Sequence, residues 1–141
     1  MFFHKNLLNT IGYPREEFYL YADDHEWSHR VIKNDGSIYV IMDSIVVDID
    51  DNLNGEKSTS MFDAYINKNS SFKVYYAMRN KIIFEMESRV TNKIIYRINK
   101  FLFIVILNLF KRNHNTKRYD VIIQAINDAE RKKFRVFKDE F

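Results

Sequence analysis

The chain has 141 residues, 46% of them apolar and 16% aromatic, enough to build one core and one domain-sized unit. Its 22 Lys/Arg against 19 Asp/Glu leave a net charge of +3, and the absence of cysteine excludes disulfides, thiolate zinc sites and cysteine nucleophiles, which fits a cytoplasmic location. Three glycines and one proline provide few sharp turns, which favours long helices over a many-stranded sandwich.

Met1-Phe2-Phe3-His4-Lys5-Asn6 is followed by no long apolar core and no small-residue cleavage site, so no export signal is read there. Residues 4–11 predict a short helix stopped by Gly12 and Pro14. Phe18 to Tyr21 reads as a brief extended piece. Asp23 then fits a helix N-cap, with Glu26 three positions on completing a capping box, and the helix is expected to run to about Asn34 and stop at Asp35-Gly36. Two short β-branched runs, Ser37–Met42 and Ser44–Asp48, predict strands. Residues 50–60 are polar and aperiodic, a loop. Apolar periodicity predicts helices over Phe72–Ser88, 92–111 and 116–133, with the basic segment 111–118 as a hinge.

Charge is divided along the chain. Residues 1–92 carry ten Lys/Arg against fourteen Asp/Glu, whereas residues 93–135 carry eleven against three. The run Phe101–Leu107, extending to Phe110, is shorter than the ~20 residues that span a bilayer. With Lys93, Arg97 and Lys100 before it and Lys111, Arg112, Lys117 and Arg118 after it, this stretch either rests on an anionic membrane surface or packs as a helical hairpin on the rest of the chain. Nucleic acid is not an expected partner: no recognition motif is present, and most aromatics fall outside the basic region.

Three clusters carry candidate chemistry. In the first, Asp23, Asp24 and Glu26 crowd at a predicted helix start behind an aromatic run. If Asp23 caps the helix, Asp24 falls on the first helical residue, where the positive end of the helix favours a carboxylate free to act as a base. A plainer account also holds: both acids satisfy the helix terminus, and Glu26 pairs with Arg30 at i,i+4. Trp27 reads either as a platform for a sugar ring or as a core anchor. The second cluster is Asp48-Ile49-Asp50, whose two carboxylates would lie on one side of an extended chain, roughly 7 Å apart, with Asp48 a metal-ligand candidate. The third is Tyr75-Tyr76-x-x-Arg79-Asn80, which on a helix sets phenol, guanidinium and amide groups side by side.

The turn Gly12-Tyr13-Pro14, the run Phe18-x-x-x-x-Asp23-Asp24-x-Glu26-Trp27-x-x-Arg30 and the later Tyr75-Tyr76-x-x-Arg79-Asn80 together resemble family 2 glycosyltransferases of the rhamnosyl- and galactofuranosyltransferase-like kind. The resemblance covers roughly residues 1–135. It implies a mixed α/β fold: the C-terminal part of a GT-A fold with a few short strands. Residues 1–70 would be the acceptor-side, base-carrying part and residues 71–141 a helical C-terminal region. It also implies inverting transfer of a hexose or deoxyhexose from a nucleotide-sugar donor to a polysaccharide or lipid-linked acceptor in cell-surface glycan synthesis. Asp24 would be the catalytic base. Asp23, Glu26, Trp27, Arg30, Tyr76 and Arg79 would bind acceptor or support the base, and Mg²⁺ or Mn²⁺ would be the metal. The family usually has a histidine near the position of Asp48, so that ligand departs from the pattern. In the family a nucleotide-sugar-binding half with its own Asp-x-Asp precedes the base segment. Here Met1 stands only about twenty residues before Asp23, so the donor half is expected to be either missing or supplied separately, with little or no transfer by the chain alone. The alternative expectation is a noncatalytic accessory or membrane-surface helical module that binds a partner protein. The expected place is the cytoplasm, with peripheral attachment to the inner face of the membrane.

Overall fold

A computed structural model describes residues 2–45, 70–111 and 116–137. In chain order the helices are α1 (Asn6–Ile11), α2 (Asp23–Lys33), α3 (Ser71–Ser88), α4 (Lys93–Lys111) and α5 (Thr116–Glu130), with a 3-10 turn at Glu16–Phe18 between the first two. There is no strand among the described residues, and the α/β expectation is corrected to an all-helical arrangement. Ser37–Met42 has the β-branched composition of a strand but finds no second strand to pair with among the described residues, and a lone strand has no ladder to satisfy its backbone. Of the second predicted strand, only Ser44 and Ile45 lie within the described residues, and neither is in a strand.

Helix ends follow local chemistry. Ser70 caps α3, its Oγ accepting from the Lys73 N–H at 3.3 Å, and Asn92 caps α4, its Oδ1 accepting from the N–H groups of Ile94 and Ile95 at 2.9 and 3.3 Å. At the end of α2, Asp35 takes a left-handed conformation (φ 59°) and the Gly36 N–H bonds back to Val31 O at 2.9 Å. A Cβ on Gly36 would lie 2.8 Å from that carbonyl, so the predicted stop at Asp35-Gly36 rests on glycine's missing side chain. Lys132 plays the left-handed part after α5, where the Lys133 N–H bonds to Asp128 O at 2.8 Å.

The main core lies between α3 and α5, which make the most extensive helix pairing, with α4 resting more lightly on α5. Val74, Tyr75, Tyr76 and Met78 of α3 meet Val121, Ile122, Ala125 and Ile126 of α5, and Leu107 of α4 and Phe137 of the final segment close the cluster. A second cluster brings Phe18 and Ala22 onto Ile83, Phe84 and Ala129. In a third, Ile11 of α1 packs with Trp27 and Val31 of α2. The front of the chain therefore docks on the C-terminal end of α3 through Phe18 and Ala22. At about 25 cal/mol per Å² of apolar area removed from water, a fully buried Phe18 contributes on the order of 2–3 kcal/mol to that docking. No described helix is long and apolar enough to cross a membrane.

Candidate functional site

The segment leading to the acid cluster differs from its sequence reading in two ways. Phe18–Tyr21 is not extended: after the 3-10 turn, Tyr19, Tyr21 and Ala22 all have positive φ, at 57°, 64° and 64°. Nor does Asp23 cap α2. Ala22 occupies the N-cap and provides no side-chain hydrogen bond, while Asp23 and Asp24 are the first two helical residues. Left-handed conformations cost a non-glycine residue roughly 1–2 kcal/mol each, so three within four residues need support from outside the segment.

That support comes from α3. Asn80, wholly buried, donates from Nδ2 to the carbonyls of Phe18 (2.6 Å), Leu20 (2.7 Å) and Tyr21 (3.0 Å). Its Oδ1 accepts from Arg79 Nε at 2.9 Å. The Arg79 guanidinium, also buried, donates to Glu17 O at 2.9 Å and to Arg135 O at 3.0 Å. No carboxylate lies within ion-pair distance of it among the described residues. Its charge instead faces carbonyl dipoles and the rings of Tyr76 (4.8 Å to the centroid), Tyr75 (5.4 Å) and Phe134 (5.6 Å). The planar fork of arginine meets several carbonyls while its faces stack on rings, a combination lysine lacks.

Around this pair the tyrosines are fixed as well. Tyr75 Oη donates to Asp128 Oδ2 at 2.7 Å, and Arg135 Nε donates to the same oxygen at 2.7 Å. Tyr76 Oη accepts from the Phe137 N–H at 3.1 Å. Burial, reinforced by the bond to Asp128, pushes the Tyr75 phenol above its ordinary value. On α4, burial and the neighbouring Glu130 carboxylate push Tyr96 up to about 12. At Glu87 burial works upward, but hydrogen bonds from Lys132 (2.7 Å) and Arg15 (2.6 Å) prevail and hold its carboxyl below the ordinary range. Glu87 thereby joins the loop before the 3-10 turn to the end of α5.

The residues of the acid cluster divide. Asp24 is exposed, and its Oδ1 accepts from the next residue's N–H, that of His25, at 2.8 Å. Asp23 is half-buried beside it. Glu26 turns away from the helix end to pair with Arg30 at 2.9 Å. Arg30 in turn donates to the carbonyls of Ile11 and, at 2.8 Å, Tyr13. Trp27 is only 3% exposed, donates from Nε1 to Gly12 O at 2.9 Å and packs on Phe3 with ring centroids 4.8 Å apart, so its ring presents no open face to a ligand. Gly12 itself sits at φ 74°, ψ −174°, a region that side chains avoid. Glu26, Trp27 and Arg30 thus clamp the Gly12-Tyr13 turn, while Arg79 and Asn80 hold the segment between that turn and Asp24; Tyr76 fixes the chain end at Phe137.

Asp48 lies outside the described residues. Among those described, no three His, Asp or Glu side chains gather so as to hold a metal ion. A groove of about 610 Å³ opens between α3 and α4, lined by Met78, Ile82, Arg89 and Tyr96 among others, and includes none of the predicted site residues. Two participants were missed from sequence. Asn80 as the anchor of three carbonyls left one signal, a polar pair inside an apolar helix. Asp128 left another, since it shares the apolar face of α5 with Val121 and Ala125 at i+7 and i+3 and therefore needs a buried partner.

No family model, no curated protein and no solved structure matches the chain.

Proposed function

We propose that this chain is the acceptor-side, base-carrying part of an inverting glycosyltransferase, with Asp24 as the base. The observation that carries this reading is the strained stretch Tyr19–Ala22, held by Asn80 immediately ahead of an exposed carboxylate. Strain of this kind persists where surrounding structure enforces it, and it concentrates where a side chain must be aimed. Asp24 takes the proton from an acceptor hydroxyl as that oxygen bonds to the anomeric carbon of the donor sugar. The bond from that carbon to the diphosphate breaks, and the nucleoside diphosphate leaves with the electron pair. Asp23 binds acceptor beside it. The divalent cation, Mg²⁺ or Mn²⁺, is assigned to the donor diphosphate, with Asp48 as the candidate ligand on this chain.

The nucleotide-sugar-binding part is assigned to a partner. Ile38, Tyr39, Val40, Ile41 and Met42 lie exposed, with Ile45 beyond them, in a segment that makes no ladder among the described residues. An apolar, unpaired stretch of this kind is suited to docking against the sheet edge of another polypeptide. Such chemistry belongs to the cytoplasm, where nucleotide-sugar donors are available.

The test combines the chain with a separately produced nucleotide-sugar-binding half and measures release of nucleoside diphosphate, with wild type and Asp24→Asn compared. Asparagine keeps the bond to the His25 N–H but cannot accept the proton, so turnover is expected to fall on the order of 10²–10⁴-fold with complex formation unchanged. Complex formation with equal turnover in both would replace this reading with that of a noncatalytic accessory subunit.

A further inference from the structure

Helix α4 carries two apolar faces, and among the described residues only one of them packs against the rest of the molecule. Leu107 is buried in the main core with Phe103 packed against it, and Lys100 is held to Glu130 of α5 at 2.5 Å. Along another side, Ile94, Ile98, Phe101, Leu102, Val105 and Leu109 recur at helical spacing, each between 38% and 69% exposed. Nineteen residues at about 1.5 Å per residue make this an apolar ridge on the order of 25 Å long. Ridges of that size on single chains mark interaction surfaces.

The charge beside the ridge selects its occupant. At 100° per residue, Lys93 and Arg97 fall on one flank, between the ridge and the core-facing side, and both are exposed. Between Glu87 and Asp120 the sequence contains Arg89, Lys93, Arg97, Lys100, Lys111, Arg112, Lys117 and Arg118 and no acid at all. A second copy of this chain laid against the ridge would bring like charge to like charge. An anionic lipid surface meets both features at once, taking the apolar side chains into its acyl boundary and the lysine and arginine heads among its phosphates. The helix is not long and apolar enough to cross, so on a lipid surface it would lie in the plane of the interface.

We infer that α4 is a membrane-surface anchor, docking the chain flat on an anionic phospholipid leaflet through Ile94, Ile98, Phe101, Leu102, Val105 and Leu109 with Lys93 and Arg97 at its edge. This stands apart from the sugar-transfer reading, because it concerns different residues and is read by lipid binding alone.

The test is co-sedimentation of the full chain with vesicles of phosphatidylcholine, and of phosphatidylcholine mixed with phosphatidylserine, at low and high salt. The chain is expected to bind the mixed vesicles far better, with the difference shrinking as salt rises. Lys93→Ala and Arg97→Ala should each weaken that binding about fivefold at low salt. Ile98→Ser with Leu102→Ser should abolish most of it at unchanged far-UV circular dichroism, since both positions face away from the core; Leu102→Ser alone serves as the milder second variant. Equal binding to both vesicles, no binding, or full binding by the serine variants would overturn the inference. So would a dimer in light scattering that the serine variants dissolve while vesicles are ignored.

Discussion

Replacing Asn80 by alanine removes one amide and leaves three groups without their partner, the carbonyls of Leu20 and Tyr21 and the Nε–H of Arg79, while the Phe18 carbonyl keeps the Leu20 N–H. An unsatisfied buried polar group costs about 1–3 kcal/mol, which for three independent groups would sum to about 3–9 kcal/mol. The bonds to Leu20 and Tyr21 are only partly buried, and water entering the vacated space restores some of that loss. The expected destabilisation is therefore about 3–5 kcal/mol, a large fraction of a typical domain's stability. In urea, with a slope of about 2 kcal/mol per molar, the midpoint should fall by roughly 2 M. Asn80→Asp tests the direction of the bonds. It keeps the shape and gains attraction to Arg79, but turns an acceptor toward three carbonyl oxygens, so it too should unfold at lower urea. Hydrogen exchange adds a local readout, with amides of Tyr19–Trp27 losing protection before those of α3 and α5. A loss below about 1 kcal/mol for the alanine variant, or wild-type stability for Asn80→Asp, would refute the claim that this side chain holds the strained segment.

Two further perturbations follow from the same network and its neighbours. Arg79→Lys keeps the charge but cannot bond Asn80, Glu17 O and Arg135 O together while stacking on Tyr76, so a loss of about 2–4 kcal/mol in urea denaturation is expected; a near-neutral result would show that charge alone suffices there. Tyr96 is raised in the fold from 10.0 to about 12, so its contribution is complete below pH about 10 and disappears as pH climbs through about 12. The linkage is worth at most about 2–3 kcal/mol. Thermal melts at rising alkaline pH should lose stability across that window, and Tyr96→Phe should flatten the loss; an equally steep profile for the variant would assign it elsewhere.

Helices were legible because their signals are local. The periodicity of α3, α4 and α5 and the stop at Asp35-Gly36 lie within one or two turns of the residues they control. The strand reading of Ser37–Met42 failed because β propensity describes a surface that fits a neighbouring strand, and no such neighbour is found among the described residues. Asp23 was mistaken for the N-cap because a capping box looks the same in sequence whether or not a remote asparagine bends the preceding backbone into left-handed turns. Asp24 was placed at the helix start from sequence alone. What holds that start, Asn80 nearly sixty residues onward, follows only from packing.

The Arg79–Asn80 pair grips main-chain oxygens of Glu17, Phe18, Leu20, Tyr21 and Arg135 and not their side chains. Every peptide unit has that oxygen whatever residue bears it, so the hold is indifferent to identity at Glu17 and Tyr21, whose side chains are exposed on the approach to Asp24. Those two positions therefore offer latitude: they can be rewritten to reshape what the surface there recognises while the grip on the backbone beneath is kept.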